Sequence, residues 1–327
     1  MDYSREIQMI MVISAALTEA DGQDTMKEKL VTGRMTDMIQ EFCAELHFPQ
    51  EAIPALSEAY DKLLADPAVV GLLEAAEESL FTPGSEVFLE YLQQVADRSG
   101  VNRYTVDMVF LLTALKPLRQ KYRQQNLPEP LLWQTMEDLR YKLVECRDVY
   151  GVWGTFVTGW FKGFYLLERF KLGRLEYEKV PFRLEAYRDW KKGQTVVNCH
   201  IPSSGPLNRQ EVLDSLKQAH SFYRDTLRDG VMLVTCHSWL LYPPHYQVFP
   251  EGGNMRKFYE LFDVVESEVQ ENNEDFWRVF NREYAPEILD QVPADTTLRH
   301  RFLEFLRTGR IMGNGYGILL FDGEKIL

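Results

Sequence analysis

Two Cys-His dipeptides are the residues of this sequence whose side chains could most directly do chemistry. Cys199–His200 and Cys236–His237 each end a short apolar segment, TVVNCHIP and VMLVTCHSWLL. Both segments read as β-strands, in which successive side chains point to opposite faces. Each dipeptide can therefore offer one side chain to a shared site, which argues against zinc and against a Cys-His nucleophilic pair. A histidine facing a cleft titrates near neutrality, so His200 and His237 are candidate general bases, with the cysteines as small buried hydrophobes.

The loop SSGPLN, residues 203–208, joins the first of these segments to a helix. Gly205 permits a positive φ, and Ser203 and Ser204 place two hydroxyls beside it. Backbone N–H groups at a helix N-terminus favour a phosphate-bearing ligand. Pro206 removes one of these donors, so an ordinary strand-to-helix turn is an equal alternative.

Tyr259 lies on the helix expected after the second segment, NMRKFYELF. A phenol in that place could protonate a departing thiolate, because it is a weak acid that can deliver its proton locally. The alternative is a core tyrosine that packs among Phe258, Leu261 and Phe262.

A third motif, RIMGNG at residues 310–315, matches the R/Q-x-x-G-x-G pattern of pyrophosphate-binding loops. A helical pattern precedes it and the strand-like YGILLF follows it, whereas a phosphate loop should leave a strand and open a helix. This order favours a glycine-rich turn into the last strand.

The elements that must position these residues alternate in the second half of the chain. RLEYEKVPFRL has strand alternation, and FDVVESEV and YGILLF follow the segments above. Asn208, with Glu211 three residues later, has the spacing of a capping box at the start of a helix. Strands that alternate with helices predict an α/β or α+β domain with a mixed sheet over residues 151–327.

Residues 1–150 predict an all-α domain instead. Apolar side chains recur at helical spacing over residues 35–46, 53–64, 87–95 and 132–146, with prolines between these runs. Residues 151–170 carry aromatic side chains on one helical face, where glycines allow close packing. We expect a core helix there, with an aromatic ligand platform as the alternative; the stripe consists of Trp153, Phe156, Trp160, Phe164 and Leu167.

Composition limits the classes of function. The 327 residues carry a net charge of −13, of which residues 1–165 contribute −10 and residues 166–327 contribute −3. An acidic chain without a basic stripe argues against nucleic acid as a partner. The sequence has no apolar run of about 18 residues, no signal-peptide pattern at its start and four scattered cysteines, so we expect a cytoplasmic protein that has no membrane partner.

The elements KLGRLEYEKV, VVNCHIPSSGPL, CHSWLLYP and NMRKFYELF resemble a bacterial family of acyltransferases. That family joins an all-helical N-terminal domain to a C-terminal domain similar to the GNAT superfamily of acyl-CoA-dependent N-acyltransferases. The resemblance implies an α+β fold with an all-α domain at 1–150 and a GNAT-like α/β domain at 151–327. It also implies a mixed, splayed sheet in which acyl-CoA enters between TVVNCHIP and VMLVTCHSWLL.

The resemblance further implies roles for individual residues. The co-substrate is acetyl-CoA or another acyl-CoA, and the acceptor is a small-molecule or peptide amine. Tyr259 is the expected general acid, and His200 or His237 the expected base, with Glu178 as a further candidate. The residues expected to bind the co-substrate are Ser203, Ser204, Gly205, Asn208, Arg209 and Asn254.

Two other functions remain open at this point. A GNAT-like fold that has lost catalysis could act as a binding module, with the acidic helical domain recognising a peptide or protein partner. A zinc hydrolase is the third hypothesis, and it requires bound metal.

Overall fold

A computed structural model describes residues 38–327 of the chain. The start of the first predicted helix, at residues 35–37, and the N-terminal segment considered for a signal peptide lie outside the described residues. Residues 38–45 are helical. Within the described part of the chain, no helix combines the length and apolar character needed to cross a membrane.

Seven further helices build the helical half, as the apolar spacing predicts. They are α1 (Ala52–Leu64), α2 (Pro67–Leu80), α3 (Phe88–Ser99), α4 (Arg103–Thr113), α5 (Leu115–Gln124), α6 (Glu129–Met136) and α7 (Asp138–Tyr150). Local chemistry sets several ends: the side chain of Asp66 caps α2, that of Asn102 caps α4, and Gly151 ends α7 in the left-handed conformation. The run predicted as one helix over 132–146 is divided between α6 and α7.

The continuous aromatic helix expected over residues 151–170 is wrong. Only Thr158–Phe161 (a 3₁₀ turn) and α8 (Lys162–Tyr165) are helical. At Gly154 the chain lies so close to the backbone carbonyl of Tyr104 that a Cβ would overlap it, as the prediction of close packing at the glycines requires. Phe164 is fully buried, so the core interpretation holds for this member of the stripe.

The second half folds around a mixed six-stranded sheet, which confirms the predicted α+β architecture. Its strands are β1 (Arg169–Leu172), β2 (Leu175–Pro181), β5 (Thr195–His200), β6 (Met232–Ser238), β7 (Asp263–Val269) and β8 (Gly313–Phe321), and β3 (Ala186–Tyr187) with β4 (Trp190–Lys191) forms a separate hairpin. The strand order is β1-β2-β5-β6-β8-β7. Within residues 38–327, β5 and β6 are the parallel pair of this sheet, and the other pairs are antiparallel.

Four helices connect these strands. They are α9 (Arg209–Phe222), α10 (Asn254–Tyr259), α11 (Phe276–Phe280) and α12 (Thr297–Arg307). A continuous apolar core extends from the helical half onto one face of the sheet, where Val197 and Val234 belong to it. A smaller core that includes Val196 and Leu233 lies on the opposite face. Because strand side chains alternate between the two faces of the sheet, one face belongs to the core that also contains the helical half, and the other face forms the smaller core.

The glycines of RIMGNG lie inside the last strand rather than in a turn before it. Strand β8 begins at Gly313, and the chain that leaves β6 crosses directly over this end of the strand. A Cβ at Gly315 would overlap the carbonyl group of Leu241. Close backbone approach, and not phosphate binding or a turn, accounts for this glycine.

Candidate active site

The two central strands run parallel over a short distance and then separate. Their ladder contains two register pairs, Val197 with Val234 and Asn198 with Thr235. The next residues of β5 stay paired with β2, and the end of β6 stays paired with β8. Each strand thus keeps its outer neighbour while the inner edges part, which confirms the splayed sheet. Backbone N–H and C=O groups along a parted edge are available to an extended ligand.

A cleft of about 1270 Å³ opens where these strands part. Helix α7 contributes side chains on one side, and the loops that follow β5 and β6 contribute the rest. Both charged and apolar side chains line the cleft, and the apolar ones include Trp160, Trp239, Leu240 and Met255. Small-molecule sites usually measure about 300–1,000 Å³, so this cleft has room for a long co-substrate arm and a second reactant.

His200 lines the cleft and is held by a carboxylate of the neighbouring strand. Its Nε2 lies 2.7 Å from Oε1 of Glu178, and Oε2 of Glu178 accepts a hydrogen bond of 2.7 Å from Nη2 of Arg169. An ionised carboxylate only accepts hydrogen bonds, so Nε2 of His200 carries the proton. Nδ1 is then unprotonated, and no group within residues 38–327 forms a hydrogen bond to it. This tautomer leaves a lone pair that can take a proton.

The side-chain amide of Asn198 contacts both members of this pair. Its amide nitrogen lies 3.0 Å from His200 Nε2 and 3.5 Å from Glu178 Oε1, and its Oδ1 accepts a 2.9 Å bond from Thr235 Oγ1. The charged carboxylate is the stronger acceptor. We therefore assign the amide hydrogen of Asn198 and the Nε2 proton of His200 to Glu178.

The charges of the pair suit a base that works at neutral pH. Burial lowers the pKa of His200 below its ordinary value; Arg169 adds to this effect, and the bond to Glu178 opposes it. Burial acts to raise the pKa of Glu178, but His200 and Arg169 outweigh it and bring that pKa to about 2. A neutral imidazole beside a charged carboxylate is the form that accepts a proton.

Trp160 and Arg169 fix the ring of His200 from the side. The rings of Trp160 and His200 meet edge to face with centroids 4.7 Å apart. The guanidinium of Arg169 lies 3.7 Å from the centroid of the Trp160 ring, and Nη1 donates 2.8 Å to the Trp160 carbonyl. The indole N–H donates to Asp138 Oδ2 at 3.0 Å, which ties this group to helix α7.

Arg174 organises the loop after β5. Its guanidinium donates to the carbonyl oxygens of Pro202 at 3.0 Å, Gly205 at 2.6 Å and Pro206 at 3.1 Å. Gly205 takes a φ of +103°, as its predicted conformational role requires. Three carbonyl groups therefore turn towards one buried cation, which orients the loop.

The expected co-substrate residues divide into two groups. Ser203 and Gly205 line the cleft, and so does Asn254 at the start of α10. Outside the lining, the Asn208 side chain caps α9 by accepting from the backbone N–H of Gln210. Ser204 and Arg209 also lie outside the lining, so the structure does not bring all six together.

The two other expected catalytic residues stand apart from His200. His237 lines the cleft, but it is about 41% exposed and its Nε2 lies 3.0 Å from Oε1 of the exposed Glu268. Tyr259 is not among the lining residues, and its ring packs against Tyr246 with centroids 5.0 Å apart. Burial raises the pKa of Tyr259. Their catalytic roles stay predictions.

The two cysteines occupy the opposite face from the two histidines. Cys199 and Cys236 are buried in the larger core, as strand alternation predicts. Their mutual contact, with burial, raises the pKa of Cys199 well above its ordinary value, which disfavours a thiolate nucleophile. Within residues 38–327, no group of three or more His, Cys, Asp or Glu side chains could hold a metal ion.

Sequence patterns held a weak signal for the residues that complete this site. Helix α7 carries Asp138, Lys142 and Glu145 at positions i, i+4 and i+7, which places them on one face towards the cleft. Arg169 and Glu176 precede and flank the candidate Glu178, yet only the pairing of β1 with β2 and of β2 with β5 brings them to His200.

Family models match both halves of the chain. A model described as the N-acyltransferase N-terminal domain matches residues 37–166, and one described as the GNAT-like C-terminal domain matches residues 169–319. The chain belongs to the acyltransferase family that joins these two domains. No curated protein matches it in sequence.

Solved structures of acyltransferases share this fold. A mutant acyltransferase in complex with octanoyl-CoA is 18% identical, with a TM-score of 0.68 over 86% of this chain and 87% of that chain. An acyltransferase in complex with decanoyl-CoA and teicoplanin is 19% identical, with a TM-score of 0.65 over 85% of this chain and 86% of that chain. At such identities the likeness shows a common fold, which extends over most of both chains.

Proposed function

We propose that this protein transfers an acyl group from a CoA thioester to an amine. The observation that carries the proposal is the opening between β5 and β6, which ends their ladder at Asn198 and Thr235 and places His200 at its edge. An acyl-pantetheine arm is extended and has amide groups, so it can pair with parted strand edges as another strand does. The membership of the chain in an acyltransferase family supports the same reading.

The chemistry follows from the lone pair on His200. The acceptor nitrogen attacks the thioester carbonyl, a C–N bond forms and the C–S bond breaks. His200 Nδ1 takes the proton that the nitrogen loses, while the bond to Glu178 stabilises the imidazolium. The same proton then neutralises the departing thiolate. Tyr259, the expected donor of that proton, stays a prediction that its position outside the lining does not support.

We propose an acyl chain longer than acetyl. The cleft includes apolar side chains beyond the histidine, among them Trp239, Leu240 and Leu298, and burial of each CH₂ contributes about 0.8 kcal/mol. The related structures hold octanoyl-CoA and decanoyl-CoA. One of them also holds the glycopeptide teicoplanin, which supports a small-molecule or peptide amine as acceptor here.

Thermal unfolding with octanoyl-CoA and with acetyl-CoA tests the binding half of this proposal. A ligand at 100 times its dissociation constant adds about 2.7 kcal/mol to the free energy of unfolding, so we expect octanoyl-CoA to raise the Tm by several degrees and acetyl-CoA by less. No shift with either thioester at millimolar concentration contradicts the proposal.

Release of the CoA thiol in the presence of a panel of primary amines tests the catalytic half. We expect His200→Ala to bind octanoyl-CoA as the wild type does and to lose turnover, while the matched variant His237→Ala keeps it. A Tm shift without turnover for any amine favours the binding-module hypothesis instead.

A further inference from the structure

Two buried carboxyl groups in the cleft each have an oxygen without a hydrogen-bond donor. Asp138 on α7 and Glu176 on β2 are at most 1% exposed, and both line the cleft. Neither Asp138 Oδ1 nor Glu176 Oε1 has a hydrogen-bond partner within residues 38–327. A buried carboxyl group that lacks donors costs several kcal/mol of folding free energy, so these two groups point to a ligand that supplies the donors.

The neighbouring basic side chains are engaged by other carboxylates. Lys142 Nζ lies 3.1 Å from Glu145 Oε2 but 3.8 Å from Asp138 Oδ1, beyond the length of a hydrogen bond. Lys171 Nζ pairs with Glu137 at 2.6 Å. Neither lysine therefore donates to Asp138 Oδ1 or Glu176 Oε1, and the positive charges nearby offset only part of the cost of burying these two carboxyl groups, whose pKa values stay raised.

A primary ammonium group matches both requirements. It carries one positive charge and three N–H donors, enough to satisfy the two free oxygens at once. Burial raises the pKa of Asp138 and of Glu176, and the proximity of Asp138 raises that of Glu176 further. A bound cation removes this penalty, because it replaces the repulsion between the two carboxyl groups by attraction to a charge between them.

The pair lies where the acceptor amine must arrive. Glu176 is the register partner of His200 in the β2–β5 ladder. The Cβ atoms of directly opposed residues in an antiparallel pair are about 4.5–5.5 Å apart. Asp138 accepts the indole N–H of Trp160, whose ring contacts His200. A group held between the two carboxylates is thus next to the proposed base.

We propose that Asp138 and Glu176 form an ammonium-binding subsite, through which the protein selects a cationic amine as its acyl acceptor. The bound ammonium releases one proton to solvent before it attacks, and the nitrogen gives its second proton to His200 as the C–N bond forms. This inference rests on the proposed function. It also gives the helical domain a part in catalysis, since α7 supplies one carboxylate and the GNAT-like domain the other.

Hexylamine and O-pentylhydroxylamine are matched probes for this subsite. They have the same length and both present a nucleophilic NH₂ group, but at neutral pH the first is an ammonium ion and the second is uncharged. Calorimetric titration of the full chain gives their Kd values, and release of the CoA thiol from octanoyl-CoA gives turnover. We expect the wild type to bind hexylamine at least tenfold more tightly than O-pentylhydroxylamine.

Isosteric substitutions test whether the two carboxylates cause the tighter binding of hexylamine. Asp138→Asn and Glu176→Gln should each weaken hexylamine binding at least tenfold and leave O-pentylhydroxylamine within twofold. Asp148→Asn is the matched control, because Asp148 is an exposed carboxylate of the same helix that also borders the cleft; we expect both Kd values to stay within twofold. Equal loss for both probes, or the same loss in Asp148→Asn, overturns the proposal.

Binding and turnover fail separately in this design. If the wild type binds the two probes equally yet acylates one of them, the ammonium subsite is wrong and the acyltransferase proposal stands. If hexylamine binds with the expected dependence on Asp138 and Glu176 but no thiol is ever released, the subsite stands and the acyltransferase proposal fails. Glu176→Gln should also keep or raise the Tm, since it removes a buried carboxyl group without donors; a lower Tm contradicts the account of its burial.

Discussion

Glu178→Gln is the substitution that tests the proposed base most sharply. Oε1 of the carboxylate accepts from Nε2 of His200 at 2.7 Å and Oε2 from Nη2 of Arg169 at 2.7 Å, with longer contacts from Asn198 Nδ2 at 3.5 Å and Arg169 Nε at 3.2 Å. In glutamine, one oxygen and one NH₂ group replace the two carboxylate oxygens. Because a guanidinium can only donate, the amide oxygen must turn to Arg169 and the NH₂ group to His200. Nε2 then becomes the acceptor and Nδ1 carries the proton, so Nδ1 can no longer take a proton from the acceptor amine.

The expected loss follows from this change of tautomer. General base catalysis contributes about 10²- to 10⁴-fold to rate, which corresponds to about 2.7–5.4 kcal/mol at 1.36 kcal/mol per factor of ten. We therefore expect kcat for acyl transfer from octanoyl-CoA to fall about 10²- to 10⁴-fold. The KM for octanoyl-CoA should change less than threefold, because Glu178 lies beside His200 rather than on the loop after β5.

Steady-state release of the CoA thiol measures both constants. Glu268→Gln is the control, since Glu268 forms the same kind of contact with His237, 3.0 Å long and exposed. It should leave kcat within twofold. If Glu178→Gln keeps kcat within threefold, the assignment of His200 is wrong; if Glu268→Gln shows the large loss instead, His237 is the base.

Three further predictions, which use four variants, test the electrostatics and packing of the protein. Arg169 helps to lower the pKa of His200, so that pKa should rise in Arg169→Gln. The acid limb of the pH profile of kcat/KM, where the base becomes protonated, should then move to higher pH. An acid limb that stays in place or moves to lower pH contradicts this. Burial lowers the pKa of His245 to about 4. As the pH falls from 6.5 to 4, the wild type should therefore lose up to about 3 kcal/mol of unfolding free energy, and His245→Phe should not. The same pH dependence of the unfolding free energy in both proteins, measured by denaturant titration, would refute this. Gly315→Ala should lower the free energy of unfolding by about 1–3 kcal/mol, because its Cβ would overlap the backbone. Gly71→Ala, in open space on α2, should raise it by about 1 kcal/mol. The reverse order of the two Tm values would contradict the packing described for β8.

Most of the fold could be predicted because local patterns determine it. Strand alternation predicts β2, β5 and β6 with their faces, and a capping residue places the start of α9 at Asn208. The aromatic stripe failed because helical spacing does not report a close tertiary approach, such as the one between Gly154 and Tyr104. The glycines of β8 were misplaced for the same reason, since Leu241 is about 70 residues away in sequence.

The candidate site was less accessible to sequence reasoning. His200 could be singled out by its place at the end of a strand, but its partners are set by strand register and by the docking of α7. Nothing local distinguishes Glu178, which pairs with His200, from Glu268, which pairs with the exposed His237. Burial separates the two pairs, and burial depends on the helical half that covers the first of them.

A crystal structure with the non-reactive thioether analogue of octanoyl-CoA measures the central claim most directly. We predict pantetheine density in the opening beyond the β5–β6 ladder, between residues 199–200 of β5 and 236–238 of β6, with the sulfur near His200 and the acyl chain towards Trp239. Density for the analogue elsewhere on the protein, with the opening between the two strands filled by protein side chains, would contradict the account.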